Sequence, residues 1–98
     1  MPDNQLIEDI LNYLDISWAD NSTQNKIINI IDSGIADLDE KSGLKNDYSS
    51  YGRARTLLFI RTQYEWCNAL DDFYINYRKE IIAFINRARV INAKSENP

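Results

Sequence analysis

The chain has 98 residues, 44% of them apolar, a formal charge of −4 and no histidine. That length holds one domain with a small core, and the apolar share fits a folded chain rather than a disordered one. The missing histidine removes the commonest acid–base side chain and the commonest transition-metal ligand, and the lone cysteine excludes an internal disulfide and fits a reducing place of synthesis.

Both prolines sit at the ends, at positions 2 and 98, and an interior without proline favours helix. The start, MPDNQLIEDI, is acidic where a secretory signal would be basic, so none is expected. No run approaches the roughly 20 apolar residues of a membrane span. The expectation is one all-α domain over residues 1–98. It is read as a small bundle of about four helical segments around a long central third helix.

Residues 3–14 predict the first helix. Asp3 or Asn4 can cap it, and Leu6, Ile7, Ile10, Leu11 and Leu14 recur at helical spacing. Asp15-Ile16-Ser17-Trp18 breaks that pattern. Trp18 has two readings, a plug beside the second helix or a partner-facing anchor. Trp18–Thr23 supplies several capping residues; Asn21-Ser22-Thr23 matches a glycosylation pattern but lacks the secretory context.

Residues 23–41 predict the second helix. Ile27, Ile28, Ile31, Ile35 and Leu38 fall within about 100° of arc, with Asp32, Asp37, Asp39 and Glu40 facing away. Gly34 lies beside the apolar stripe, where close helix approach explains it. Lys41-Ser42-Gly43 is a stop signal, a cation followed by a glycine suited to the left-handed conformation. Leu44–Ser50 is a polar loop in which Asp47, Ser49 or Ser50 can cap the next helix.

Tyr51–Asn76 dominates the chain. Leu57, Phe59, Ile60, Tyr64, Trp66, Cys67, Leu70, Phe73 and Tyr74 cover most of a helical circumference. The polar stripe, Arg61–Glu65–Asn68–Asp72, is narrow. A helix this apolar is wrapped by neighbours, either in a tight bundle or in an oligomer. The third helix is expected over about 51–70 and the fourth over about 72–93, with Asp71-Asp72 either a new cap or exposed acids on a continuous helix. Tyr77, Ile81, Phe84, Ile85, Ala88 and Ile91 form the buried face of the last segment, Lys79, Asn86 and Arg89 point outward, and 94–98 reads as a frayed tail.

Charge is unevenly divided. Residues 1–50 carry ten acids and three lysines; residues 51–98 carry five acids and eight basic residues, including all six arginines. Two readings stand: unevenly solvated helix faces, or copies that meet head to tail. The acids Asp37, Asp39 and Glu40 open like a calcium loop, but lysine fills the fifth place, glycine comes one place late and Tyr48 stands where the glutamate belongs. Asp71 and Asp72 diverge by about 100° on a helix and are poorly placed to share a proton. Cys67, without a histidine, reads as a small core hydrophobe. No catalytic residue, metal ligand or cofactor is expected, and the net acidity argues against direct DNA reading.

The stretch RARTLLFIRTQYEWCNALDDFYINYRKEIIAFINRARV resembles the C-terminal half of small head–tail connector (adaptor) proteins of tailed phages and prophages. Arg55 before Leu57-Leu58, then Arg61, Tyr64, Asn68-Ala69-Leu70-Asp71, Phe73, Asn76-Tyr77 and Glu80 carry the likeness. LIEDILNYLDI and the helix ending at KSGL are similar too. The resemblance implies a structural, non-enzymatic subunit of the virion head–tail interface, found in the host cytoplasm before assembly. It implies a homo-oligomeric ring of about twelve copies under the portal protein. The ring would receive a stopper or tail-completion protein, with DNA passing through its channel and no membrane involved. The subunit-interface candidates are Arg53, Arg55, Arg61, Tyr64, Arg87 and Arg89. The alternative is a small helical protein-binding or regulatory module, monomeric or dimeric.

Overall fold

The computed structural model describes the backbone of residues 2–17 and 20–96, with side chains through residue 91. Five helices form: α1 (Asn4–Tyr13), α2 (Asn21–Ser42), α3 (Arg53–Trp66), α4 (Leu70–Asn76) and α5 (Arg78–Glu96), with no strand among the described residues. The molecule is an all-α bundle, drawn out to 49 × 28 × 18 Å.

The Asp3 carboxylate accepts from the Leu6 amide at 2.8 Å and satisfies one free donor of the first turn of α1. Leu6 and Ile10 are buried, and the rest of the predicted stripe packs against the core from its edge. α1 stops without a glycine. Asp15 takes the left-handed conformation (φ 61°), its N–H donates to Asn12 O, and the Ile16 N–H reaches back to Leu11 O. Trp18, for which packing and partner contact were both open, lies outside the described residues.

α2 starts two residues earlier than expected, because Asp20 caps it by accepting from the Thr23 amide. Ile27, Ile31 and Leu38 are buried as the wheel predicts, joined by Ile30, while Ile28 and Ile35 are only half-buried. Gly43 ends the helix at φ 71°. Gly34 is where α2 crosses α3: a Cβ there would stand 2.7 Å from Leu58 Cδ1 and 3.3 Å from Arg61 Nη1. The close approach expected of this glycine is real.

The loop after α2 is pinned rather than loose. Tyr48 is buried and its hydroxyl donates to Asp39 Oδ1 at 2.7 Å, an oxygen that also accepts from the Asn46 backbone and side chain. Burial first, and the Asp39 carboxylate second, raise the Tyr48 hydroxyl well above the usual tyrosine range. Asp39 therefore does not face away. Nor does Asp47 cap α3: it accepts from Ser49 and Ser50 within the loop, and α3 starts at Arg53 behind Gly52, with no side-chain cap.

The stretch 51–76 is not one helix. α3 ends at Trp66, and Asn68 adopts the left-handed conformation (φ 58°). The Ala69 N–H donates to Tyr64 O at 2.8 Å and the Asn68 N–H to Glu65 O at 3.0 Å, the two bonds of a Schellman ending. The break falls at Cys67–Ala69, before Asp71-Asp72. Those acids are not the cap; they occupy the first turn of α4, where the helix dipole favours them. α4 then folds back over α3, placing Phe73 at the centre of the core with no exposed surface. α5 follows after Tyr77 and runs on through Glu96, past the expected end at 93.

At 14 residues α3 is shorter than α2 (22) and α5 (19), yet it is central. It buries Leu57 and Leu58, with Leu58 at the crossing with α2, and α4 and α5 pack on its other sides. α1 reaches it through the Tyr13–Phe59 ring contact. The cover that its apolar circumference demands thus comes largely from within the chain.

Candidate interaction surface

The structure divides the six candidate residues into an inner and an outer set. Arg61 belongs inside, only 5% exposed. Its Nη1 donates to Glu65 Oε1 at 2.7 Å and its Nε to Asp37 Oδ2 at 3.2 Å. The Tyr74 hydroxyl donates to the same Asp37 oxygen at 2.7 Å, and Lys41 holds the other at 2.7 Å. One α2 carboxylate thus ties α3 and α4 to α2. Burial alone would raise Asp37, but the bonds from Lys41 and Tyr74 and the charges of Lys41 and Arg61 hold it below the ordinary carboxylate value. Burial alone would lower Arg61; Tyr74, Glu65 and Asp37 outweigh it and raise the guanidinium further. Arg61 is a packing residue within the subunit, and Asp37 does not face away as the wheel suggested.

Arg55 is also committed. It donates to Asp9 Oδ2 at 3.0 Å and to Tyr48 O at 2.9 Å, and its guanidinium lies 4.5 Å from the Phe59 ring centre. The bonds from Arg55 and Gln5 lower the Asp9 carboxyl. Tyr64 is half-buried among Phe73 and Tyr77, with ring centres 6.0 and 5.9 Å away. These three candidates serve the fold. Two pairs of the unlike charges that suggested head-to-tail pairing, Arg55 with Asp9 and Arg61 with Asp37, meet inside one molecule.

Arg53, Arg87 and Arg89 are exposed, as are Arg78 and Lys79, and none has an ion-pair partner among the described residues. Arg53 and Arg87 line one shallow groove with Leu44, Ala54, Phe84 and Ile91, so the structure brings those two candidates together. Ile91, placed on the buried face by its spacing, is 44% exposed at this groove.

Arg89 belongs to a different surface. At about 100° per residue, Arg78, Lys79, Ile82, Asn86, Arg89 and Val90 form the row opposite the buried Ile81, Phe84 and Ala88. Ile82 is 46% and Val90 53% exposed. Ile75, 71% exposed, lies on α4 beyond the break at Tyr77 (φ −111°), so it is a separate exposed residue near the start of this row. This basic and apolar row was only partly readable: its cations were, but Ile82 sat among core-type residues with nothing in its own type to set it apart.

Cys67 lies at the α3 break and is exposed, not in the core, because the chain turns there instead of continuing around the apolar face. Among the described residues no group of three cysteine or carboxylate side chains is placed to hold a metal ion. What this surface can do chemically is bind by charge and apolar contact.

No protein-family model matches the chain, and no curated protein or solved structure proved similar enough to match. The fold and surface define a small all-α bundle that presents a cationic, apolar helix face.

Proposed function

We propose that this chain is a structural subunit of a tailed-phage head–tail connector, forming a ring under the portal and linking capsid to tail around the DNA channel. The observation that carries the reading is the outer face of α5. Three cations there, without an ion-pair partner among the described residues, flank partly exposed isoleucine and valine, on a chain whose first half is strongly acidic. A subunit that repeats around a ring needs two unlike, complementary faces, and the division of charge supports that requirement. The sequence likeness to connector subunits and the all-α fold agree with it. The partners would be further copies of the chain, the portal protein, and a stopper or tail-completion protein.

One observation favours the alternative, a small helical module that binds or regulates another protein as a monomer or dimer. The apolar circumference of α3 is covered within the chain, so the subunit needs no neighbour to hide it. Light scattering and negative-stain microscopy, at high protein concentration and on a portal ring, separate the two. The connector reading expects ring-sized particles or bound portal. A protein that remains monomeric throughout and ignores portal overturns it in favour of the alternative.

A further inference from the structure

We propose that the outer row of α5 docks on the outer row of α2 of a second copy. The inference rests on the ring reading above and names the contact that would build the ring. The α2 row is Asn29, Asp32, Ser33, Ala36 and Glu40, all exposed except half-buried Asp32. Its two acids are eight residues apart, about 12 Å along the helix, with small Ser33 and Ala36 between them. On α5, Arg78 and Lys79 stand at one end and Arg89 at the other, about 15 Å apart, with Ile82 between. Long lysine and arginine side chains span that difference easily. The small α2 residues leave room for Ile82 and Val90 to approach the helix.

Charge selects the occupant. The α5 row cannot pair with itself, since a two-fold contact would set cations against cations. A net charge of −4 disfavours polyanionic partners such as nucleic acid or an anionic lipid surface. The lysines of α2 do not spoil the match: Lys41 is held by Asp37 and lies 5.2 Å from the Tyr74 ring centre, and Lys26 lies 4.9 Å from that of Trp66. A second copy offers an acidic row of matching length. The contact is heterologous, each copy using α5 toward one neighbour and α2 toward the other, which builds a ring where the rotation between copies closes and a filament where it does not.

A charge exchange tests it. One variant carries Lys79→Glu and Arg89→Glu; the other carries Asp32→Lys and Glu40→Lys. Each alone sets like charges together and should need about tenfold or more protein to assemble. Mixed in equal amounts they should alternate and assemble as the wild type does, which also shows that both remain folded. Analytical ultracentrifugation reads the mass distribution. If either variant alone assembles like the wild type, or if the mixture does not recover, the α2–α5 contact is overturned while the connector reading stands on its portal binding. Wild-type protein that never self-assembles overturns the contact as well. If it also fails to bind portal, the connector reading falls with it.

Discussion

Replacing Arg61 with methionine should destabilise the fold by about 2 kcal/mol. Among the described residues Arg61 is the one charged side chain with almost no water around it: its side chain is 6% exposed, against 20% for Asp37 and 26% for Glu65. Breaking a fully buried ion pair by removing one partner costs about 3–5 kcal/mol, because the other charge is stranded. An exposed pair is worth only about 0–1 kcal/mol. Here the carboxylates keep some access to water, and Asp37 retains Lys41 and Tyr74 at 2.7 Å each. Methionine refills the space left by the arginine stem, so the cavity contribution is small. The expected loss therefore falls between the two limits.

Urea denaturation followed by far-ultraviolet circular dichroism measures that loss directly. For a domain of this size about 1 kcal/mol moves the melting temperature by about 4–8 °C, so a fall of about 8–16 °C should accompany it. The protein should remain folded, since domains of this kind carry about 5–15 kcal/mol. Pairing Arg61→Met with Asp37→Asn supplies the decisive comparison. Residues in direct contact should show a coupling of about 0.5 kcal/mol or more. A loss below about 0.5 kcal/mol for Arg61→Met, or strict additivity with Asp37→Asn, would refute the claim that this guanidinium ties α2 to α3 and α4.

Three further outcomes follow from particular contacts. Gly34→Ala gains about 1 kcal/mol of helix propensity, but its Cβ would meet fully buried Leu58 at 2.7 Å and Arg61 at 3.3 Å, so a net loss of about 1 kcal/mol or more is expected; a stabilised protein in the same urea titration contradicts the close approach. Asn68→Ala should cost about 1 kcal/mol, because alanine pays the left-handed penalty that asparagine tolerates, whereas Asn68→Gly should be neutral or stabilising; equal stabilities for the two would deny the Schellman ending. Asp37 has its folded pKa depressed below 3.8, so its contribution is complete above that value and is lost as the pH falls through the folded pKa. Asp37→Asn should flatten the acid limb of the stability profile, and an unchanged limb argues against the shift.

The helices were legible where a periodic apolar face and a capping side chain coincide. Asp3 opens α1, and the isoleucines of α2 end at Gly43, the one stop marked by glycine. The break in α3 was hidden because Asn68, not glycine, takes the left-handed position, while Tyr64, Phe73 and Tyr74 keep an apolar pattern on both sides of it. A helical wheel drawn through such a break mixes two azimuths. That is why Cys67 moved from core to surface, although Arg61 still pairs with Glu65 and Glu65, Asn68 and Asp72 still line one hollow at the break. Three of the six surface candidates, Arg55, Arg61 and Tyr64, turned inward for a related reason. Residue type marks a charge but not its partner, and Asp9 and Asp37, far away in sequence, claim Arg55 and Arg61.

The unequal charge of the two halves therefore has two separate physical origins. One part is spent inside the molecule, where Asp9 and Asp37 neutralise guanidinium groups that bridge α1 to α3 and α2 to α3. That part says nothing about partners. The remainder is outside, with Arg78, Lys79 and Arg89 on α5 and Asp32 and Glu40 on α2. Solvation alone explains exposed cations, but it does not call for partly exposed Ile82 and Val90 in the same row. A contact formed by both kinds of group responds to salt in a distinctive way. Screening removes the charge attraction within a Debye length of about 8–10 Å at moderate ionic strength, while sulfate strengthens apolar burial. Assembly through this face should weaken as sodium chloride rises and recover in ammonium sulfate. Solvated charges with no docking role would leave the mass distribution flat in both salts.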